Sequence, residues 1–261
     1  MRSLQIAATG MHAQTLNVEV ISNNIANVTT TGFKRQRAEF HDLLYQEQRR
    51  VGSPSTDDNT IVPSGIQVGL GVRPAATYRI HEQGNFIKTD NEYDVALQGR
   101  GFFVIELPNG DTGYTRAGAF GLNDEGTLVT PDGFVVQPTI QVPEDVLDVT
   151  INSFGEVLAR LPNQVASQNL GQLQSAIFIN DAGLQNIGDN LYLESEASGA
   201  ANVSTPGQPG FGTVLQGFLE SSNVDVVTEI TSLITAQRTY EFNSQVIQAS
   251  DEMLRTVSNI R

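Results

Sequence analysis

Apolar residues fall on a helical repeat at each end of the chain and on short alternating runs between them. Over the first 25 residues, Leu4, Ala8, Met11, Thr15, Val18, Ser22 and Ile25 are spaced alternately by four and three, and Leu16 and Val20 widen the stripe. This heptad spacing lines one side of a helix. The run Thr29-Thr30-Thr31-Gly32 closes it, since β-branched residues and glycine are poor helix formers. At the far end, Ser222-Asn223-Val224-Asp225 resembles a capping box. Val226, Ile230, Leu233, Gln237, Tyr240, Ser244, Ile247, Asp251 and Leu254 then repeat the spacing, and no Pro or Gly occurs from Phe218 to Arg261. The two patterns predict helices of about 35 and about 50 Å at 1.5 Å per residue. Long helices with narrow seams are seldom stable alone. The expectation is that residues 1–30 and 224–261 pair as a coiled coil. Leu4, Ala8, Met11, Val18, Ile25, Val226, Ile230, Leu233, Tyr240, Ile247 and Leu254 would form the seam for self-assembly. Thr15, Ser22, Gln237, Ser244 and Asp251 would sit badly in a monomer core, which favours burial against neighbouring copies.

From Gly65 to Ala197 the pattern changes. Pro108-Asn109-Gly110, Asp124-Glu125-Gly126 and Pro131-Asp132-Gly133 are turn signals. Between and around them lie Phe102–Ile105, Gly113–Arg116, Thr127–Val129 and Phe134–Val136, then Val149–Ile151, Glu156–Leu158, Leu173–Phe178 and Asn190–Leu193. Turns every eight to twelve residues or so predict an antiparallel meander, a sandwich or rolled sheet. The fold class expected is α+β: terminal helices, a central β domain over 74–197, and extended connecting segments over 31–73 and 198–223. Val51–Pro63 and Ser195–Gly212 have linker composition.

Composition narrows the chemistry. The 261 residues carry 15 Lys plus Arg against 29 Asp plus Glu, a net charge of −14, with no Cys and no Trp. Zero Cys excludes a disulfide scaffold, a Cys-ligated metal and a cysteine nucleophile. The acidic balance argues against nucleic acid as a partner. Asn and Gln number 39, and only 17% of residues are charged. Amide-rich surfaces can be covered by another protein at lower desolvation cost than charged ones. The charge is uneven: residues 1–50 carry net +2, including Lys34, Arg35 and Arg37, while the remainder carries −16. That asymmetry suits head-to-tail attraction between copies, and equally a solvated basic turn after a helix.

Catalytic and ligand motifs are missing from the sequence. His12, His41 and His81 have no second His at metal-ligand spacing. Gly69-Leu70-Gly71 and Gly99-Arg100-Gly101 lack the context of a phosphate loop, and no G-x-S-x-G elbow occurs. No catalytic residue, metal, cofactor or small-molecule substrate is expected. No continuous apolar run of signal-peptide or membrane-spanning length is present in the N-terminal segment, so no cleaved signal is expected. On residues alone, a self-assembling structural protein and a binding module or hydrolase with its site on the β domain both stay open.

The stretch Ser22-Asn23-Asn24-Ile25-Ala26-Asn27-Val28-Thr29-Thr30-Thr31-Gly32-Phe33-Lys34 resembles the signature of the bacterial flagellar axial proteins, the rod and hook family. Its core is N-N-[IL]-A-N and its close T-x-G-[FY]-K, here Asn23, Asn24, Ala26, Asn27, Gly32, Phe33 and Lys34. Three further segments resemble the family in order: Asp94–Phe103, Tyr114–Gly118 with Gly126–Thr130, and Gly217–Val224. The length, and a long insertion over 46–73 and its flank (Gln46, Pro54, Pro63, Gly65, Gly69, Gly71, Pro74), resemble the distal-rod branch; a proximal rod or hook subunit is the alternative. The resemblance implies a non-enzymatic subunit of the basal body that assembles into a helical tube and passes torque from motor to hook. It further implies proximal rod subunits and hook or hook-junction proteins at the ends and P- and L-ring proteins around the tube. Export would run without a cleaved signal, through the type III apparatus under a rod cap, to a rod that crosses the periplasm to the outer membrane. The insertion would brace neighbouring copies and keep the rod straight.

Overall fold

The computed structural model describes residues 2–49, 65–162 and 166–259. The chain divides into two compact units. The first holds residues 1–25, 36–78 and 226–261, and the second holds 26–35 and 79–225.

In the first unit, α1 spans Arg2–Ala26 and α2 spans Val226–Asn259, where the sequence reads 1–30 and 224–261 as helical. Their contacts fix an antiparallel arrangement. Ser250 Oγ donates to Ser3 Oγ at 3.1 Å, Gly10 lies against the Asn243 side chain, and Asn24 Nδ2 donates to Glu229 Oε2 at 3.3 Å. The buried residues are Ala7, Ala13, Val20, Ile21 and Asn24 on α1, and Glu229, Ala236 and Ser250 on α2. This contact line is rotated by one residue from the predicted seam on α1. Ala8 is exposed, and Leu4, Met11, Val18 and Ile25 are half-buried beside the line. On α2, Leu233 and Ile247 are half-buried, while Val226, Ile230, Tyr240 and Leu254 are exposed. Small groups explain the difference. A Cβ on Gly10 would lie 2.9 Å from Asn243 Nδ2, so glycine and alanine let the helices approach where leucine and methionine would hold them apart.

Residues 36–49 and 66–79 form a two-stranded ribbon, where the pattern predicts only an extended connection. Strand Gln36–Asp42 pairs with Val72–Arg79, and Tyr45–Arg49 pairs antiparallel with Ile66–Gly69. Leu43 N–H donates to Gly71 O and Leu70 N–H to Leu44 O, which makes the two pieces continuous. Thr9 pins the ribbon to α1: its Oγ1 donates to Ile6 O at 2.8 Å and accepts from Val72 N–H at 3.3 Å.

The second unit is built on a nine-stranded sheet whose pairings are all antiparallel. Strand Phe102–Glu106 is its centre. Thr112–Thr115 pairs along one edge, and Val135–Val136 and Ser175–Ile177 share the other. Alternation sends Phe103 and Ile105 into the larger apolar core and Phe102 and Val104 into a smaller one on the opposite face. Gly110, Gly126 and Gly133 all take positive φ, as the three turn signals require. The strands are shorter than expected and the topology is more than a meander. A separate three-stranded sheet uses Asp148–Ile151, Glu156–Arg160 and Gln168–Gln172.

Residues 198–223 are a correction to the predicted connecting segment. They carry strands Asn202–Ser204, Thr213–Gln216 and Phe218–Glu220, and belong to the β unit, which therefore reaches beyond residue 197. Backbone pairing outweighs a loop-like composition here. Thr213–Gln216 pairs with Val95–Gln98, Phe218–Glu220 pairs with Phe86–Lys88, and a Cβ on Gly212 would meet Gln98 O at 2.6 Å.

Candidate functional site

Two places concentrate chemistry that an ordinary core or surface would not need. One is a buried charge cluster in the β unit. Lys34, Arg116 and Glu220 are 1%, 5% and 1% exposed. Glu220 Oε1 accepts from Lys34 Nζ at 2.5 Å and from Gly84 N–H at 2.9 Å, and its Oε2 accepts from Arg116 Nε at 2.5 Å. Lys34 also donates to Glu82 O at 2.7 Å. Arg116 donates to the carbonyls of Leu97, Gly99 and Gly101. Burial pushes the Glu220 carboxyl up, but the Arg116 and Lys34 charges outweigh it and hold it below the usual carboxylate range. The carboxylate is ionised and surrounded by donors, which makes it a structural tie between strands.

The local sequence explains how these groups meet. Gly32, with φ near +69°, turns the chain after α1. A Cβ there would lie 2.7 Å from Ala117 N, and Gly32 N–H donates to Glu220 O at 2.8 Å. Phe33 is buried beneath the Arg79 guanidinium, 5.3 Å from the ring centre. Beside the cluster, His81 packs edge-on to Phe102 and Tyr192, each 5.5 Å away. Burial, then the Lys34, Arg79 and Arg116 charges, lower its pKa to about 4, so its ring is neutral at pH 7.

The other place is the surface of the helical unit. Val227, Ile230, Ile234, Phe242, Val246, Met253 and Val257 are exposed, Val227 at 74% and Phe242 at 63%, at spacings that form one slowly winding stripe along α2. Beside the contact line, Thr15, Val18, Glu19, Gln237, Tyr240 and Glu241 line an open groove of about 410 Å³. Four of those six come from the predicted seam register, which thus borders the groove instead of filling the helix–helix contact.

The signature residues serve several ends. Asn24 Nδ2 donates to Gln36 O at 2.9 Å while its Oδ1 accepts from Gln36 N–H at 2.8 Å, so its amide holds the first ribbon strand as a neighbouring strand would. Asn27 Oδ1 accepts from the Thr30 hydroxyl in the turn after α1. Asn23 and Ala26 are exposed. In the insertion, Gln46 sits exposed opposite Val68, Gly65 precedes strand Ile66–Gly69 and Gly69 ends it opposite Tyr45, and Pro74 lies in strand Val72–Arg79. A Cβ on Gly71 would come 2.1 Å from Thr9 Oγ1. Pro54 and Pro63, with the predicted linker 51–63, lie outside the described residues. Pattern reasoning did not single out the Glu220 cluster. Its only signal is a charged residue ending a short apolar run, Phe218-Leu219-Glu220.

Three family models match the chain. Residues 4–34 match a flagella basal body rod protein model, 96–159 a flagellar hook protein FlgE/F/G D1 domain, and 215–260 a flagellar basal body rod FlgEFG protein C-terminal model. Each of these segments supplies one member of the charge cluster: Lys34, Arg116 and Glu220. The chain is 56% identical to the flagellar basal-body rod protein FlgG of Caulobacter vibrioides over 261 residues, covering 100% of both chains. It is 55% identical to that of Agrobacterium fabrum, over 99% of this chain and 98% of the relative. Against that of Borreliella burgdorferi it is 46% identical, over 100% of this chain and 99% of the relative.

Proposed function

The chain belongs to the flagellar basal-body rod protein family, and from that membership we propose that it is a distal-rod subunit that self-assembles into a helical tube and carries torque from the motor to the hook. It is a structural protein of the basal body, not an enzyme. The observation that carries self-assembly is the apolar stripe from Val227 to Val257 on α2, which the chain's own fold leaves open to water. Exposed apolar area of that extent on one helix fits burial against other copies. In the tube, α1 and α2 form the inner layer as coiled-coil neighbours, and the seam residues around the groove beside Val18 and Tyr240 take part in contacts between copies.

The ribbon over residues 36–49 and 66–79 supports a bracing role for the insertion. Leu44, Tyr45 and Ile66 are exposed on it, and a two-stranded ribbon has little stability of its own in water. Proximal rod subunits and hook or hook-junction proteins meet the tube at its ends, and P- and L-ring proteins surround it where it crosses the periplasm to the outer membrane. Among the described residues no helix is long and apolar enough to cross a membrane. Delivery runs through the type III export apparatus, under a rod cap, without a cleaved signal.

Replacing Ile234, 46% exposed on the stripe, by Asp tests the assembly reading. Sedimentation and electron microscopy of the purified chain should show fibres for the wild type and monomer for Ile234→Asp. The β unit should melt at the same temperature in both. Fibres of normal length from Ile234→Asp would refute the stripe as the contact.

A further inference from the structure

The Glu220 cluster joins parts of the chain that are made far apart. Lys34 and Arg116 are buried, and the carboxylate between them arrives 186 and 104 residues later. Until it does, two buried cations would have only the backbone carbonyls of Glu82, Leu97, Gly99 and Gly101 as partners. Burying charge without a counter-charge is among the costliest things a fold can do. The backbone around Glu220 repeats the dependence. Thr213–Gln216 supplies the antiparallel partner of Val95–Gln98, and Phe218–Glu220 that of Phe86–Lys88. Ser221 N–H donates to Asn85 O. Asn223 accepts from Arg35 N–H at 2.7 Å and donates to Ile80 O and Glu82 O. Residues 213–223 thus lace together 32–35, 80–88 and 94–101. The helical unit shows the same order, since Asn24 and Ser3 find Glu229 and Ser250 only in α2.

We propose that residues 213–223 are a completion latch, with Glu220 as its bolt. A chain that emerges N-terminus first keeps its β unit open until Glu220 arrives, because earlier closure would bury Lys34 and Arg116 without a counter-charge. The unit then closes in one step. The device delays stable structure, and with it any contact that requires the finished β unit, until almost the whole chain has been delivered. It depends only on the geometry of the β unit, so it stands or falls separately from the rod assignment.

Pulse-labelled hydrogen exchange during refolding of the full chain tests the latch. In the wild type, amides of 102–106 and 112–115 should gain protection at the same rate as those of 213–220. Glu220→Gln should slow all three together by tenfold or more. The triple variant Lys34→Met, Arg116→Met, Glu220→Met removes the charges, and in it 102–115 should become protected ahead of 213–220. This arm keeps the test decisive if Glu220→Gln does not fold at all. Early protection of 102–115 in the wild type, wild-type folding rates in Glu220→Gln, or single-rate folding of the triple variant would each overturn the latch.

Discussion

The two units place their apolar residues oppositely. In the β unit, Phe103, Ile105, Leu97 and Val136 are closed off from water, and the charged groups inside are tied to Glu220 and to backbone carbonyls. In the helical unit the contact line holds Ala7, Gly10, Ala236 and Ser250, while Ile230, Ile234, Phe242 and Val246 face outward. The β unit therefore carries the terms that stabilise a domain by itself: buried apolar area and satisfied polar groups. The helical unit has little of the first: among the described residues its buried apolar side chains are Ala7, Ala13, Val20, Ile21 and Ala236. If copies assemble through the outward stripe as proposed, a monomer would carry one finished half and the fibre would complete the other.

The largest expected break in that contrast comes from attacking the finished half. Glu220→Gln leaves Lys34 and Arg116 buried without their counter-charge and should cost the β unit about 3–5 kcal/mol. Urea unfolding followed by near-ultraviolet signals of Tyr114 and Tyr192 would read it. A loss below about 1 kcal/mol would show that the carbonyl bonds of Arg116 suffice.

Acid should act in the same direction. The folded pKa of His81, about 4, lies below its unfolded value of 6.5. Between these values the unfolded chain binds more protons, so stability is full above pH 6.5 and falls as the pH drops through 6.5 toward 4. At the lower end the loss is on the order of 2–3 kcal/mol. The Glu220 carboxyl, held low, adds to the loss further into acid. His81→Phe should flatten the slope between pH 6.5 and 4. An unchanged slope would place the titrating group elsewhere.

A smaller effect should come from the helical unit. Thr9→Val removes the acceptor for Val72 N–H and should cost about 1 kcal/mol. The loss should be confined to faster amide exchange in the ribbon, with the β unit unmoved. Spread of the effect into strands Phe102–Glu106 and Thr112–Thr115 would contradict the division of the chain into two independent stabilities.

Much of this organisation is legible in the sequence, for reasons that differ by element. Helix limits came from local signals: the Thr29–Gly32 stop and the absence of Pro and Gly after Phe218. The hairpin turns came from glycines that need positive φ. The register of the helix contact was not legible, because hydrophobic periodicity marks the greasiest face. Here the contact line uses small residues: Gly10 lies against the Asn243 side chain, and Ala7, Ala13 and Ala236 are buried. The strands Thr213–Gln216 and Phe218–Glu220 were hidden for another reason. Their partners, Val95–Gln98 and Phe86–Lys88, lie more than 100 residues away, and the neighbouring Gly- and Pro-rich stretch reads as a loop. The charge cluster was hidden in the same way, since its three members are ordinary residues until the fold brings them together.

The most direct measurement is amide hydrogen exchange of the same chain as a dilute monomer and as an assembled fibre. Amides of α2 from Val226 to Asn259 should exchange at least a hundredfold faster in the monomer than in the fibre, while those of strand Phe102–Glu106 should be equally protected in both. Equal protection of α2 in the two states would mean that the helical unit is stable by itself, and that its outward apolar stripe is not what assembly completes.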